Sequence, residues 1–361
     1  MLRKVLIGLG IIVGLLVLMG AFGIYYVLPD ENKILNFIKN NPDKSSMLFV
    51  RNDTIVASLN IDKVMPLAST VKIILAIEYA EQCAKGQLNS EELVLLSELE
   101  KFYVPNTDGG AHKSWLESIK GKVADGKVPV REVVKGMIKY SSNANTEWLL
   151  DRLGIENVNN RLDSLGLKNH TEIYYIVSAL FVGKELFPDL KGKELQKKLI
   201  DLSQSEYIAA TKKIHQKLLG DTLYKKNIGD FGMDIQKIWS DRLPSSTVED
   251  YVSIMKKINS RSYFSENAQR YLDEIMEYVL ENPANKEWLE HCGMKGGSTA
   301  FVLTKALYAT DRKGNRTEMA YFLNNLSLLE NIRLQMSMNE FELKTLANKE
   351  FREKVKTELM K

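Results

Sequence analysis

The 361-residue sequence has little cysteine and little histidine: two cysteines, Cys83 and Cys292, and four histidines. Two cysteines allow at most one disulfide bond and exclude a scaffold built on disulfides. The cysteines and histidines form no cluster with the spacing of zinc ligands, so we expect no metal and no other cofactor. The apolar content of 45% is ample for a buried core, so we expect packing to stabilise the fold.

The sequence also lacks a strong charge of either sign. Its 49 basic and 46 acidic residues leave a net charge of +3, and the two kinds are interleaved along the chain. A nucleic-acid-binding surface would need a concentrated basic patch. We therefore expect no nucleic-acid partner.

One long stretch lacks charge altogether. Val5–Leu28 contains 24 residues without a charged side chain, which is long enough to span a bilayer. Arg3 and Lys4 precede it, so the positive-inside rule keeps the N-terminus in the cytoplasm. A cleaved signal peptide is the alternative, with Ala21–Gly23 as a cleavage site. We favour an uncleaved anchor over residues 1–29, with residues 30–361 on the extracytoplasmic side of the cell membrane.

The rest of the chain predicts an α+β fold. Ser46–Val50 and Thr54–Leu59 are predicted to form the two strands of a hairpin around the turn Arg51-Asn52-Asp53. A second antiparallel pair is predicted within residues 298–326, with its turn at Arg312–Asn315. The long middle of the chain has helical periodicity, including Gln87–Ser97. We expect one antiparallel sheet built from both chain ends and an inserted all-helical subdomain. The approximate limits are 30–68 and 245–361 for the α/β part and 69–244 for the helical part.

The strongest candidate for chemistry is Ser69. It lies three residues before Lys72, where a loop gives way to a helical run within Met65–Gly86. Residues i and i+3 share a face of a helix, so the lysine amine can reach the serine hydroxyl. A serine beside a lysine with a lowered pKa is a recognised nucleophile and base. The pattern alone is weak, because it recurs at Ser253–Lys256 in the middle of a predicted helix.

Two more short motifs follow in order. Ser141-Ser142-Asn143 interrupts helical sequence, where a hydroxyl can relay a proton and an amide can hold a substrate carbonyl. By itself it also fits a capped turn between helices. Lys295-Gly296-Gly297 opens a predicted strand, where glycines permit close approach of a substrate backbone and the lysine attracts an anion. An ordinary turn into a strand is the alternative.

The three motifs together resemble those of the penicillin-recognising serine hydrolases, the superfamily of class A β-lactamases and DD-peptidases. Their Ser-x-x-Lys, Ser-x-Asn and Lys-[Thr/Ser]-Gly elements correspond to Ser69–Lys72, Ser141–Asn143 and, less completely, Lys295–Gly297. The resemblance covers about residues 31–350 and is closest to class A. It implies a β-lactamase/transpeptidase-like fold, a serine nucleophile and an acyl-enzyme intermediate.

The resemblance also implies roles for individual residues. Ser69 would attack an amide carbonyl, with Lys72 as base or proton partner, and Ser141 would pass a proton to the leaving nitrogen. Asn143 would bind the substrate's side-chain amide, and Lys295 would attract its carboxylate.

It further implies an oxyanion hole formed by the backbone N–H groups of Ser69 and Ser298, beside Gly297. Tyr103 resembles the aromatic residue that walls such sites, although an ordinary loop aromatic fits equally well. Cys292 precedes the third motif by three residues, whereas Cys83 lies about 20 Å along its helix from Ser69. We therefore predict two unpaired thiols.

Three departures from the class A pattern bear on function. Ser142 stands where class A enzymes carry an Asp, and Gly296 stands where a hydroxyl residue helps to hold the carboxylate. The Glu-x-x-Leu-Asn element that supplies the deacylating base is missing. Glu172 is nearest to its expected place, but it matches poorly and reads as a surface carboxylate.

These observations predict a membrane-anchored serine hydrolase acting on β-lactams through a Ser69 acyl-enzyme. The alternatives are a D-alanyl-D-alanine carboxypeptidase acting on peptidoglycan stem peptides, and a catalytically inert penicillin-binding scaffold. The sequence does not decide among these substrates, and it leaves the oligomeric state open.

Overall fold

The computed structural model describes residues 28–221, 223–226 and 228–360. The predicted anchor therefore lies outside the described residues, apart from its last two positions. Among the helices that are described, none has the length and apolar character needed to cross a membrane.

A five-stranded antiparallel sheet forms the centre of the fold, in the order β2-β1-β9-β8-β7. Strands from the N-terminal end lie beside strands from the C-terminal end, and the central pair aligns Phe49 of β1 with Met319 of β9. The predicted sheet built from both chain ends is thus present. The strands are β1 Ser45–Arg51, β2 Thr54–Leu59, β3 Met65–Pro66, β4 Leu93–Leu95, β5 Lys127–Pro129, β6 Ser245–Ser246, β7 Leu289–Ser298, β8 Leu303–Asp311 and β9 Arg316–Leu323.

Helices fill most of the chain between these strands, as the sequence periodicity predicts. Local signals set several of their starts: Ser203 and Ser327 each form a capping box with the glutamate three residues later. The helices are α1 Asn32–Asn40, α2 Lys72–Ala84, α3 Leu96–Glu100, α4 Ala111–Ser118, α5 Val130–Lys135, α6 Asn143–Leu153, α7 Ile155–Ser164, α8 Val182–Leu186, α9 Gly192–Asp201, α10 Gln204–Gly220, α11 Met233–Arg242, α12 Val248–Asn259, α13 Glu266–Met276, α14 Pro283–Lys286, α15 Leu328–Ala347 and α16 Lys349–Leu359.

The sheet separates two apolar cores. On one face, α1, α15 and α16 pack against side chains such as Phe49 and Tyr321. On the other face, α12 and α2 pack against Leu48 and Phe322. Because side chains alternate along a strand, neighbouring residues of β1 serve different cores. The candidate motifs belong to the α2 side.

Two local predictions were wrong. Gln87–Ser97 is not a helix, because Leu93–Leu95 forms β4 and pairs with β5. This two-stranded sheet also means that the subdomain predicted over residues 69–244 is not all-helical. Lys295–Gly297 does not open a strand but lies near the end of β7, which begins at Leu289. Both cysteines are buried and free, which confirms the prediction of two unpaired thiols.

Candidate active site

Ser69 lies in a tight turn between β3 and α2. A 3₁₀ turn over Ala68–Val71 runs directly into α2 at Lys72. Ala68 adopts a left-handed backbone conformation with φ +46°, which a non-glycine residue adopts at a cost in free energy. The neighbours of Ser69 in this turn are buried, whereas Ser69 itself is partly exposed. The turn therefore presents the serine at the surface of the cleft.

Lys72 is fully buried, and its amine is bound entirely by the second motif. Nζ donates to the carbonyl oxygen of Ser141 at 2.7 Å, to Ser141 Oγ at 3.2 Å and to Asn143 Oδ1 at 2.9 Å. Burial lowers the pKa of Lys72 well below its usual value, and the positive charge of Lys295 lowers it further. A lysine amine whose pKa is lowered gives up its proton more readily, so this amine can exchange a proton with the neighbouring Ser141 Oγ.

The backbone of the second motif is shaped for this contact. A single π-helical turn, Gly136–Tyr140, precedes it, and Ser141 follows in a left-handed conformation with φ +71°. Ser142 then caps α6, since its Oγ accepts the N–H of Asn145. This sharp reversal aims the carbonyl and hydroxyl of Ser141 at the same amine. The same three residues therefore form both the capped turn between helices and the candidate proton relay, which the sequence offered as alternatives.

The third motif passes directly beside Ser69. A Cβ atom placed on Gly297 would lie 2.5 Å from both the backbone nitrogen of Ser69 and the carbonyl oxygen of Leu67. Only glycine allows β7 to come this close. Ser298, the next residue, is exposed. The backbone at Ser69 and the end of β7 are thus adjacent, as an oxyanion hole formed by the N–H groups of Ser69 and Ser298 requires.

Lys295 is buried beneath the site, four percent exposed. Burial lowers its pKa to about 7, and the nearby charge of Lys305 contributes. Tyr103 is partly exposed in the loop before α4, and its ring stacks on that of His112 at 4.8 Å between centroids.

A hydrogen-bonded chain behind the second motif was not predicted. His112 is fully buried, its Nδ1 lies 2.8 Å from Ser142 Oγ, and its Nε2 lies 2.9 Å from Glu100 Oε1. The hydrogen bond from His112 lowers the pKa of Glu100, so this carboxylate stays ionised at neutral pH. The chain links the loop that holds Lys72 to the loop that carries Tyr103.

The expected place of the deacylating base is apolar. Ala68 and Ala144 belong to one buried cluster with Tyr174, Ile176 and Val177. In the described part of the chain, no carboxylate accepts a hydrogen bond from Ser69 or Lys72. Glu172 is exposed and lies near Lys212, at 3.8 Å, which agrees with its interpretation as a surface carboxylate.

A buried carboxylate, that of Glu147, instead holds the backbone of residues 177–178 in place. Glu147 is fully buried and accepts the backbone N–H groups of Val177 and Ser178 at 3.0 and 3.1 Å, together with Ser178 Oγ. His215 of α10 lies between Glu147 and Asp151, at 3.3 and 3.1 Å. Burial opposes protonation of this imidazole, but the two carboxylates outweigh it and raise the pKa of His215 to about 9. The inserted helices are thereby attached to α6, the helix that begins at Asn143.

Comparisons with known proteins agree with this geometry. A model of the beta-lactamase enzyme family matches residues 30–282. A β-lactamase from Chitinophaga pinensis is 14% identical, with a TM-score of 0.52 over 86% of this chain and 98% of that one. A β-lactamase from Sphaerobacter thermophilus is 16% identical, with a TM-score of 0.52 over 88% and 97%.

The protein PBP-A is 18% identical, with a TM-score of 0.50 over 87% of this chain and 98% of its own. At these identities the solved structures establish the fold alone, whereas the family model covers well over half of the chain. No curated protein matches the sequence. The chain belongs to the beta-lactamase enzyme family, among the penicillin-recognising serine hydrolases that act on amide bonds.

Proposed function

We propose that this chain acylates Ser69 with β-lactams and hydrolyses them. Ser69 attacks the lactam carbonyl, and the C–N bond breaks as the nitrogen takes a proton. That proton leaves the Ser69 hydroxyl, passes to Lys72 and returns through Ser141 Oγ. Asn143 holds the substrate's side-chain amide, and Lys295 attracts its carboxylate.

The observation that carries this proposal is the set of three contacts from Lys72. A buried amine with a lowered pKa, bound to the hydroxyl and carbonyl of Ser141 and to Asn143, is poised for proton transfer. Burying a lysine amine costs free energy of folding. An inert scaffold would not need a lysine buried against three acceptors.

A second candidate, a D-alanyl-D-alanine peptidase that penicillin traps, is favoured by a different observation. The side chains beside Ala68 are apolar, and Glu147 is already occupied by the backbone of residues 177–178. Water attack on the acyl-enzyme would then lack a general base and proceed slowly. Peptidoglycan stem peptides are the substrate class of this candidate.

We also place the enzyme at the membrane. The 24 uncharged residues of Val5–Leu28, preceded by Arg3 and Lys4, support a single uncleaved span with the hydrolase domain on the extracytoplasmic side. A cleaved signal peptide remains the alternative. N-terminal sequencing of the protein from both the membrane and the soluble fraction distinguishes the two, because cleavage after Gly23 would release a chain with a new N-terminus.

The experiment that tests the acyl-enzyme is an intact-mass time course of the full chain in detergent with benzylpenicillin. We expect an adduct equal to one drug molecule in the parent and none in Ser69→Ala. The matched control is Ser253→Ala, which removes the serine of the second Ser-x-x-Lys copy within α12. It should form the adduct as the parent does.

The lifetime of the adduct separates the two candidates. A transient adduct accompanied by hydrolysed drug identifies a β-lactamase, whereas an adduct that persists for hours identifies a trapped peptidase. Absence of both adduct and hydrolysis in a folded parent would contradict both.

A further inference from the structure

The outward face of α15 carries an unusual set of exposed apolar side chains. Of the sixteen large apolar residues exposed in the described ranges, five are on this one helix. They are Leu328, Leu329, Ile332, Met336 and Leu343, and each is between 42% and 65% exposed. We call these five residues the α15 stripe.

Most of the stripe lies on one side of the helix, with Asn339 and Glu340 in the turn between Met336 and Leu343. At 3.6 residues per turn, Leu329, Ile332, Met336 and Leu343 fall within about 60° of the helix circumference. The fully exposed residues between them, Gln335 and Asn339, are uncharged, whereas the charged Arg333 and Glu340 are partly buried at one edge of the stripe. Water-facing helix surfaces normally carry charged side chains, so this face is poorly suited to bulk water.

The apolar N-terminal segment ends beside the middle of α15. The backbone N–H of Asp30 donates to Ser337 Oγ at 3.3 Å. Ser337 is buried and lies about 100° around the helix from its exposed neighbour Met336, at the same height along α15. Leu28, the last residue of the uncharged run, is two residues earlier, at most about 7 Å away along the chain. Almost no linker separates the run from α15.

From this connection we propose that the α15 stripe lies against the lipid surface of the membrane that holds residues 5–28. The inference rests on the proposed anchor. If those residues span a bilayer, the bond from Asp30 to Ser337 keeps the middle of α15 at the bilayer surface. The stripe then rests at the interface between headgroups and acyl chains, as amphipathic helices do.

A second copy of the chain fits this surface less well. Five half-exposed side chains present on the order of 500 Å² of apolar area, which resembles the largest patch on an ordinary monomer. Each partner of a stable dimer buries roughly 800 Å². A bilayer needs no such minimum, because the anchor already supplies the attachment.

The orientation has a consequence for the substrate. α15 packs on the face of the sheet that holds Phe49 and Tyr321, whereas α2, which follows Ser69, packs on the opposite face. With the stripe on the lipid, the sheet lies between the membrane and the helical side that carries Ser69. The site then faces soluble or wall-bound substrates rather than lipid.

The test places a fluorescent label on the stripe in the full chain, reconstituted in phosphatidylcholine and phosphatidylglycerol vesicles. Ile332→Cys and Met336→Cys each carry the label, since both natural cysteines are buried. Ile200→Cys is the matched control, because Ile200 is 64% exposed on α9. Quenching by nitroxide-bearing lipid is compared with quenching by a soluble nitroxide.

We expect lipid-borne nitroxide to quench labels at 332 and 336 at least twofold more than the soluble quencher, and the reverse at 200. Equal soluble quenching at all three positions, in protein that floats with the vesicles, would overturn the lipid contact. Protection from both quenchers would also overturn it, since residues 5–28 or a second copy would then cover the stripe. Failure to float would contradict the anchor and this inference together, whereas acylation of Ser69 is measured independently.

Discussion

Nδ1 of His112 lies 2.8 Å from Oγ of Ser142, the one residue between the two that hold the amine of Lys72. Glu100 accepts from the opposite ring nitrogen, and the ring is fully buried. The imidazole therefore fixes the position of Ser142 without touching the substrate. We regard His112 as a positioning residue for the Lys72 contacts.

Replacing His112 tests this role. We expect His112→Ala to slow acylation by benzylpenicillin by about 10²-fold, because a shift of the Ser141–Asn143 loop by an ångström misplaces the groups that move the proton. His112→Gln can still hydrogen-bond to Ser142 and should recover most of the rate. Stopped-flow acylation and thermal melts of both variants separate positioning from stability. Equal rates in His112→Ala and the parent, or no recovery in a folded His112→Gln, would contradict the role.

Substrate binding should depend on pH through Lys295. Its pKa of about 7 means that it is mostly charged at pH 6 and mostly neutral at pH 8. Attraction for a substrate carboxylate is therefore lost as the pH rises. We expect the KM of a carboxylate-bearing β-lactam to increase by up to about tenfold from pH 6 to pH 8. The methyl ester of the same compound is the control, and its KM should stay flat. A flat profile for both compounds would contradict the assignment of Lys295.

The close approach of β7 to Ser69 predicts a sharp difference between two adjacent glycines. An alanine Cβ at position 297 would meet backbone atoms at 2.5 Å, so Gly297→Ala must push β7 away from Ser69. We expect acylation to fall by at least about 10²-fold, as it does when an oxyanion donor is lost. Gly296→Ala meets its nearest atom at 3.3 Å and should cost no more than a few-fold. Similar rates in the two variants would show that the approach does not support catalysis.

The Glu147–His215 contact should make stability depend on pH. The pKa of His215 is about 9 in the folded protein and about 6.5 in an unfolded chain, so its contribution is complete below pH 6.5 and is lost between pH 6.5 and 9. The contribution of the protonated His215 to the free energy of unfolding is on the order of 3 kcal/mol. The lowered pKa of Lys295 has the opposite effect, because it makes the free energy of unfolding increase as the pH rises above 7.

Comparison with His215→Gln isolates the histidine. We expect the difference in unfolding free energy between parent and variant, from urea titrations, to shrink as the pH rises from 6.5 to 9. A difference that is constant across this range would show that His215 is not protonated in the fold.

The sequence predicted the hairpins of the sheet and the helix after Ser69 because each is a local pattern. The turn Arg51-Asn52-Asp53 between two strand-like runs identified the β1–β2 hairpin, and helical spacing after Ser69 identified α2. The Ser-x-Asn motif stood out where helical sequence was interrupted. The structure adds that Lys72 contacts both ends of that motif, at Ser141 and Asn143.

The features that the sequence did not predict depend on contacts between residues far apart in the chain. His112 meets Ser142 thirty residues away, and His215 meets Glu147 across 68 residues, so no local spacing marks either pair. Gln87–Ser97 has the polar composition of a surface helix, but pairing of β4 with β5 makes part of it a strand. The sequence marked Gly297 as a glycine beside a strand. It could not show that a Cβ atom at this position would collide with the backbone of Leu67 and Ser69, which are more than 200 residues away in the chain.

The central claim is that Ser69 is the nucleophile, and peptide mapping after exposure to benzylpenicillin tests it most directly. Trypsin releases Ser69 in the peptide Val64–Lys72 and Ser253 in the peptide Leu243–Lys256, by cleavage after lysine and arginine. The account predicts that the mass of the drug is added to Val64–Lys72 alone in the parent. In Lys72→Ala, where trypsin releases Ser69 in the longer peptide Val64–Lys85, that peptide should stay unmodified. Drug mass on Leu243–Lys256 or on any other peptide, with Val64–Lys72 unmodified, would contradict it.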